Sequence, residues 1–288
     1  MTVRIRSFEV NGATGVSPRT TLASVTPPVT RREVLKYALA ATPVLAAGAT
    51  VAATVAAAPR ASADGMRLLD FATVLVQPEQ IKAAGYDGAL VYVSELRPGA
   101  TFDFKPVTRE FTDGLRALGL HVVSCYQYGK PGWPNSPSDY TGGYDGGVAD
   151  ATTALRLHNA AGGPDLAPIF FSVDEDIDFD TWETTAVQWF LGINAVLGVQ
   201  RTGIYGGARQ CRWAMADDVI GHSTSPGYRW AWQTRAWSQG ERVAAAVLFQ
   251  REIVTASDPG VVIDGTSVDV DDVLAADFGQ WDLARSPV

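Results

Sequence analysis

Short apolar runs recur along the chain from residue 66 onward and are separated by longer amphipathic stretches. Most of these runs are rich in β-branched or aromatic residues, which is typical of strands buried on both faces of a parallel sheet. The predicted strands are Met66–Phe71, Gly88–Val93, His121–Tyr126, Pro168–Val173, Thr202–Tyr205, Tyr228–Gln233, Ala245–Gln250 and Ser267–Val270.

The amphipathic segments between most of the predicted strands indicate helical crossovers. Several end at helix-breaking residues, such as Gly119 and the Gly162-Gly163-Pro164 tripeptide. Strands and helices in alternation predict an α/β fold, a small (β/α)8 TIM-like barrel, with an open doubly wound sheet as the alternative. The connection 236–244 is short, so we expect one or more helices to be reduced.

Composition narrows the class of protein. The chain has 288 residues, of which 47% are hydrophobic and 19% charged, so a sizeable core is expected rather than disorder. The net charge of −8 argues against a nucleic-acid partner, which would require a basic face. No Gly-x-Gly-x-x-Gly follows the first predicted strand and no P-loop occurs, so nucleotide binding has no support.

The charge is distributed unevenly, and this asymmetry marks an export signal. Residues 1–63 carry a charge of +5, which leaves −13 for residues 64–288. Arg31 and Arg32 precede an uncharged, alanine-rich stretch over residues 37–59. This order resembles the twin-arginine export motif, and Ala61-Ser62-Ala63 predicts cleavage after Ala63.

The predicted organisation is therefore a twin-arginine signal peptide with a disordered leader over residues 1–63, and a barrel domain over residues 64–288. We expect the twin-arginine export machinery as a partner and an extracellular or cell-wall location for the mature protein. A retained membrane anchor is the alternative, because the 23 uncharged residues of 37–59 are long enough to span a bilayer.

The cysteines and histidines predict neither a disulfide nor a metal site. Cys125 and Cys211 are the only two cysteines of the sequence, and we expect two buried thiols rather than a bridge. The three histidines are isolated and no Cys-x-x-Cys occurs, so we expect no metal and no cofactor.

Carboxylates collect at the carboxyl ends of the predicted strands, where the active site of a barrel lies. Asp174 and Glu175 follow the fourth strand, and Asp70 ends the first. Paired carboxylates are the usual machinery of glycoside hydrolysis, so we predict that these three residues are catalytic. In the alternative interpretation, the acidic run from Asp174 to Asp180 caps the following helix.

Aromatic, amide and further acidic side chains follow the same strand ends. Aromatic rings offer flat apolar faces to sugars, and amides can bind hydroxyl groups, although each aromatic residue could equally be core packing. The predicted substrate-binding residues are Tyr126, Tyr128, Asp176, Tyr205, Trp232, Gln233, Gln250 and Asp269.

Several motifs together resemble a known family. They include Ser-Cys-Tyr-Gln-Tyr-Gly-Lys at 124–130, Gly-Gly-Tyr-Asp-Gly-Gly at 142–147, Pro-Ile-Phe-Phe-Ser-Val-Asp at 168–174, Trp-Ala-Trp-Gln at 230–233 and Val-Asp-Val-Asp at 268–271. The chain is similar to the glycoside-hydrolase-like family of twin-arginine-exported actinobacterial proteins, which is related to lysozyme-like (β/α)8 muramidases. The resemblance covers about residues 66–281.

The resemblance implies a carboxylate-lined pocket in an incomplete barrel. In the muramidases the first strand supplies an Asp, the fourth an Asp-x-Glu and the eighth an Asp; Asp70 and Asp269 match the first and last. The Asp-x-Glu positions fall on Ser172 and Asp174. We therefore expect a monomeric glycoside hydrolase acting on cell-wall polysaccharide. The alternative is a catalytically inactive barrel that binds this glycan.

Overall fold

The structure is a computed structural model, and it describes residues 65–71, 74–102, 104–133, 135–255 and 257–286. The predicted signal motif Arg31-Arg32, the uncharged stretch 37–59 and the cleavage position Ala63 lie outside these ranges. Within the described ranges, no helix combines the length and the apolar character that crossing a membrane requires.

The described residues form a closed barrel, which confirms the predicted fold class. The strands are β1 Arg67–Asp70, β2 Gly88–Tyr92, β3 His121–Tyr126, β4 Ile169–Ser172, β5 Thr202–Gly206, β6 Arg229–Thr234, β7 Ala246–Glu252, β8 Val261–Ile263 and β9 Thr266–Val273. Strands β1 to β7 pair in sequence order and in parallel, and β9 closes the barrel by pairing with both β7 and β1.

The last strand of the barrel runs in the opposite direction from the parallel arrangement that the sequence predicts. Strand β9 is antiparallel to both of its barrel neighbours. The reason lies in the connection: β8 and β9 form a hairpin around Asp264 and Gly265, whose φ angles are both positive. An Asp-Gly pair in this conformation is a typical two-residue hairpin turn, and it leaves no crossover helix to return the chain.

Helices connect the first six strands on the outside of the barrel. They are α1 Pro78–Ala83, α2 Arg109–Ala117, α3 Gly143–Ala160, α4 with Phe179–Thr181, a π-helical turn Trp182–Ala186 and Val187–Leu197, and α5 Ala208–Ala216. The described connection between β6 and β7 contains no helix, as its short length predicts.

Two glycines allow α3 and α4 to pack closely against each other. A Cβ at Gly147 would lie 2.0 Å from the carbonyl oxygen of Trp189, and one at Gly192 would lie 2.0 Å from that of Tyr144. Side chains would hold these backbones apart, because real Cβ atoms do not approach so closely. This contact brings Asp150 of α3 within 2.8 Å of the Trp189 indole nitrogen, which donates to it.

Alternation along the strands separates the barrel interior from the outer layer. Leu90, Val123, Phe170 and Leu248 fill the interior, while neighbours such as Val91, Val122 and Phe171 pack in the outer layer. Because of this alternation, every second side chain along a strand faces the interior, up to the mouth of the barrel.

Both cysteines are buried free thiols, as the sequence predicts.

Candidate active site

A small cavity of about 100 Å³ opens at the carboxyl ends of the strands. This is the end of a barrel at which enzymes of this architecture place their active sites. Its lining consists of Asp70, Tyr92, Cys125, Gln127, Ser172, Asp174, Tyr205, Trp232, Gln250 and Asp269.

A larger groove of about 740 Å³ lies at the opposite end of the barrel, beside Trp281 and the last described residues. Several of its charged groups already have protein partners: Asp282 contacts His121, and Arg285 is paired with Asp277. The buried His158 near this end forms hydrogen bonds with Ser124 and the carbonyl of Pro164, so both of its ring nitrogens have partners within the protein. The smaller cavity is therefore the candidate active site.

The closure of the barrel places two carboxylates side by side. Asp70 and Asp269 are directly opposed residues of the antiparallel pair β1–β9. The amide nitrogen of Gln250 lies 3.3 Å from Oδ2 of Asp70 and 2.9 Å from Oδ2 of Asp269, so these two oxygens are no more than about 6 Å apart. Because β9 is antiparallel, Asp269 reaches the mouth from the beginning of its strand rather than from the end.

Hydrogen-bond donors reach both oxygens of each member of this pair. Tyr92 donates its hydroxyl to Oδ1 of Asp70 at 3.0 Å, and Gln250 approaches Oδ2. Asp269 accepts from the backbone nitrogen of Val254 at 2.7 Å through its other oxygen. Hydrogen bonds to both oxygens favour the ionised form of a carboxyl group, which opposes the effect of burial.

Asp174 enters the cavity from β4, which stands across the barrel from β9 in the strand order. Gln127 donates its amide to Oδ2 of Asp174 at 2.9 Å. The other oxygen, Oδ1, has no hydrogen-bond partner among the described residues. Asp174 therefore has one oxygen at which it can carry a proton without losing a hydrogen bond.

Burial makes the three carboxyl groups weaker acids than usual. Desolvation and the neighbouring Asp269 raise the pKa of Asp70 to about 7, against the hydrogen bond from Tyr92. Desolvation also raises the pKa of Asp269 to about 6 and raises the pKa of Asp174. Groups with such raised pKa values can exchange protons near neutral pH.

A fourth carboxyl group lies below the cavity. Asp271 is fully buried, accepts a hydrogen bond from the indole nitrogen of Trp232 at 2.5 Å, and has an unpartnered buried oxygen. Desolvation raises its pKa well above the usual value. The Trp232 ring that it holds packs against Tyr205 at a centroid distance of 4.4 Å, and Tyr205 donates its hydroxyl to Gln250.

Two of the predicted acidic residues lie outside the cavity. Glu175, which the sequence predicts as catalytic, accepts a hydrogen bond from Ser138 in the loop after β3 and does not line the cavity. Asp176 is exposed and forms an ion pair with Arg209. The helix-cap interpretation fits Asp178, which accepts from the backbone nitrogen of Thr181 at 2.8 Å at the start of α4.

Three predicted substrate contacts also lie outside the cavity. Tyr126 belongs to the outer layer, where its hydroxyl donates to Asp150 at 2.8 Å, and Tyr128 packs against the same layer. Gln233 accepts from the backbone nitrogen of Val243 and donates to the carbonyl of Glu241, so it secures the loop between β6 and β7. Tyr126 and Gln233 occupy strand positions whose side chains point away from the barrel axis, and Tyr128 lies beyond the end of β3.

The structure adds cavity residues for which no role was predicted. Tyr92, Cys125, Gln127 and Ser172 all line it. Alternation along each strand is the signal that finds them, because Tyr92 follows the inward Leu90 by two positions and Gln127 follows the inward Cys125 by two. In the described residues, no group of three or more His, Cys, Asp or Glu side chains has the arrangement of a metal site.

A closed barrel with carboxylates gathered at the carboxyl ends of its strands defines a glycoside-hydrolase-like protein. Residues 79–273 match the family model of the Rv2525c-like, glycoside hydrolase-like domain. The chain belongs to this family, as its motifs indicate.

Proteins similar to the chain come from Mycobacterium tuberculosis. Rv2525c, named as a candidate peptidoglycan hydrolase, is 37% identical over 255 residues, which cover 88% of this chain and 99% of that protein. The crystal structure of Tat-secreted Rv2525c in complex with L-tartrate covers 75% of this chain and 98% of its own, with a TM-score of 0.66. A second crystal form, in complex with HEPES, is 36% identical over the same shares, with a TM-score of 0.65.

Proposed function

We propose that the chain is an exported glycoside hydrolase that cleaves cell-wall glycan, with Asp174 as the general acid and Asp70 as its carboxylate partner. The observation that carries the proposal is the contrast between these two groups in one cavity. Both oxygens of Asp70 accept hydrogen bonds, whereas Oδ1 of Asp174 has no described partner. The hydrogen bonds favour the ionised form of Asp70, whereas Asp174 has an oxygen that can carry a proton.

The chemistry follows from this contrast. Asp174 gives its proton to the glycosidic oxygen as the bond to the sugar breaks, and the negative charge of Asp70 stabilises the positive charge that develops on the ring. Water supplies the hydroxyl group of the product, and its second proton returns to Asp174. Asp269 and Gln250 hold Asp70 in position through the shared amide hydrogen bonds.

The relative supports both the substrate and the export. Rv2525c is named for peptidoglycan and is described as Tat-secreted. The leader of this chain contains Arg31-Arg32, an uncharged stretch and an Ala-Ser-Ala sequence in the same order as a twin-arginine signal. We therefore assign the mature protein to the cell wall or its exterior, with residues 1–63 as the leader and residues 64–288 as the functional domain.

A barrel that binds glycan without cleaving it is the second candidate. Ser172 lines the cavity at a position where the related muramidases are expected to carry a carboxylate. The cavity of about 100 Å³ is also smaller than the range of about 300–1,000 Å³ found for small-molecule pockets, so only part of a sugar fits inside. A polymer would then lie across the mouth, where Trp232 and Tyr205 form one wall.

Incubation with purified cell wall separates the two candidates. The protein should release soluble sugar fragments detectable by mass spectrometry, and Asp174→Asn should abolish the release while the variant still sediments with the wall. Asp176→Asn is the matched control, since Asp176 is an exposed residue paired with Arg209 outside the cavity. Release that persists unchanged in Asp174→Asn removes the assigned acid, and binding without any release favours the second candidate.

The pH dependence of hydrolysis gives an independent check. Burial raises the pKa of Asp70 to about 7 and also raises the pKa of Asp174. Because the proposed activity requires ionised Asp70 together with protonated Asp174, kcat/KM should rise and then fall as pH increases. A rate that declines steadily from pH 5 to pH 8 would show that Asp70 does not act as a carboxylate.

A further inference from the structure

Two cations lie beside the cavity and contact the same aromatic ring. The guanidinium carbon of Arg97 is 5.7 Å from the centroid of the Phe102 ring, and the ammonium nitrogen of Lys105 is 5.4 Å from it. Both residues belong to the connection between β2 and α2. These two positive charges lie beside a cavity whose own charged residues are all acidic.

Lys105 reaches the wall of the cavity itself. Its side chain is almost fully buried, and its nitrogen lies 3.5 Å from the ring centroid of Tyr92. Tyr92 lines the cavity and donates to Asp70. The charge of Lys105 lowers the pKa of Asp70 and of Asp139, so its field extends into the site.

Arg97 is held in a fixed orientation next to this lysine. Its guanidinium stacks over the Trp133 ring at 4.9 Å, and Nη1 donates to the carbonyl oxygen of Tyr128 at 3.0 Å. Its Nε is buried without a hydrogen-bond partner. The orientation therefore comes from aromatic faces and one carbonyl group rather than from a carboxylate.

Among the described residues, neither cation takes part in an ion pair. Other arginines of the domain do, such as Arg156 with Glu95, Arg209 with Asp176 and Arg212 with Glu241. Two neighbouring positive charges repel each other, and Asp70 and Asp139 act on Lys105 without forming an ion pair with it among the described residues. A ligand anion placed between the two cations would reduce their repulsion and give both of them a close partner.

We propose that Arg97 and Lys105 form a subsite for a carboxylate group carried by the glycan, with Phe102 and Trp133 as apolar faces for the sugar that bears it. The choice of a glycan as ligand rests on the proposed function. An anionic sugar would otherwise be repelled by Asp70, Asp174 and Asp269, which line the adjoining cavity. A neutral glycan would require no such cations, so the pair indicates an acidic substrate.

Burial is compatible with the charge that this role requires. Desolvation lowers the pKa of Lys105 to about 8, so most of the lysine remains protonated at neutral pH. Binding of an anion would stabilise that charge further.

Two sugars that differ in one carboxylate test the subsite. N-acetylmuramic acid and N-acetylglucosamine share a ring, and only the former carries a lactyl carboxylate. Calorimetric titration of the full chain should show at least tenfold tighter binding of N-acetylmuramic acid. Lys105→Met and Arg97→Met should each reduce this preference at least threefold, and 0.5 M salt should weaken it.

Lys82→Met is the matched control, because Lys82 is an exposed lysine in the last turn of α1. It should leave the preference unchanged, and circular dichroism should confirm that each variant is folded. Arg97 is only half-buried, so its variant tests the proposal even if Lys105→Met fails to fold. A preference retained in Arg97→Met contradicts the assignment.

Equal binding of the two sugars, or no binding of either, overturns the subsite. Such a result leaves the hydrolase proposal standing if Asp174→Asn still abolishes fragment release. A clear preference for N-acetylmuramic acid without any fragment release supports the subsite and removes the hydrolase.

Discussion

Replacement of Asp70 by Asn should make the protein more stable at neutral pH while it removes the proposed activity. Asp70 is buried beside Asp269, and desolvation together with that neighbour raises its pKa from 3.8 to about 7. A carboxyl group whose pKa is higher in the folded state favours folding when it is protonated. The fold is therefore destabilised progressively as pH rises from about 4 to about 7.

The size of the effect follows from the pKa. A difference of about three pKa units, at about 1.36 kcal/mol each, corresponds to a destabilisation on the order of 4 kcal/mol above pH 7. The Asn variant removes this charge but leaves the amide of Gln250 facing a weaker or mismatched partner, which costs about 1–2 kcal/mol. The net gain should be roughly 2–3 kcal/mol, or about 5–10 °C in Tm for a domain of this size.

Urea and thermal denaturation at pH 7.5 and pH 4 measure this gain. At pH 4 the carboxyl group is protonated in the folded protein and about half ionised in the unfolded protein, so nearly all of the destabilisation has disappeared and the variant should be no more stable than the parent. Asp176→Asn, which alters an exposed carboxylate, should show no such dependence on pH. Equal or lower stability of Asp70→Asn at pH 7.5, or a gain that is just as large at pH 4, would refute the reasoning.

Three further outcomes are expected. Gly147→Ala should destabilise the fold by about 2–3 kcal/mol in urea denaturation, because its Cβ would lie 2.0 Å from the carbonyl oxygen of Trp189. Gly146→Ala should be neutral or slightly stabilising, because the nearest atom to its Cβ, Cδ1 of Trp189, lies 3.9 Å away. Burial lowers the pKa of His158 to about 4, so the fold favours the neutral imidazole. The free energy of unfolding should therefore decrease by roughly 3 kcal/mol as pH falls from 6.5 to 4, and His158→Gln should flatten this part of the dependence of stability on pH. Replacing Arg31 and Arg32 by Lys should retain the protein in the cytoplasm, as fractionation and immunoblotting would show.

The strands of the barrel were predictable because their apolar runs are continuous and short. Each predicted strand corresponds to an observed one, and the missing helix after β6 follows from the length of its connection. The direction of β9 was not predicted, because direction depends on what lies between two strands. The Asp264-Gly265 turn carries that information, and a search for paired turn residues would have indicated a hairpin.

The candidate site was predictable to the extent that a strand end and an inward side chain coincide. Asp70 and Asp174 satisfy both conditions and line the cavity. Tyr126 and Gln233 satisfy only the first, since their neighbours Cys125 and Trp232 take the inward positions. Lys105 satisfies neither, because it lies in a loop whose course depends on tertiary packing, so no pattern along the chain marks it.

The seam between β1 and β9 determines when the site can form during synthesis. Asp70 and its hydrogen-bond partner Gln250 are 180 residues apart, and Asp269 lies further along still. A ribosome must therefore release nearly the whole domain before the first strand meets the last. The carboxylate pair therefore cannot form before β9 has been synthesised, so a nascent or truncated chain that lacks β9 lacks the pair as well.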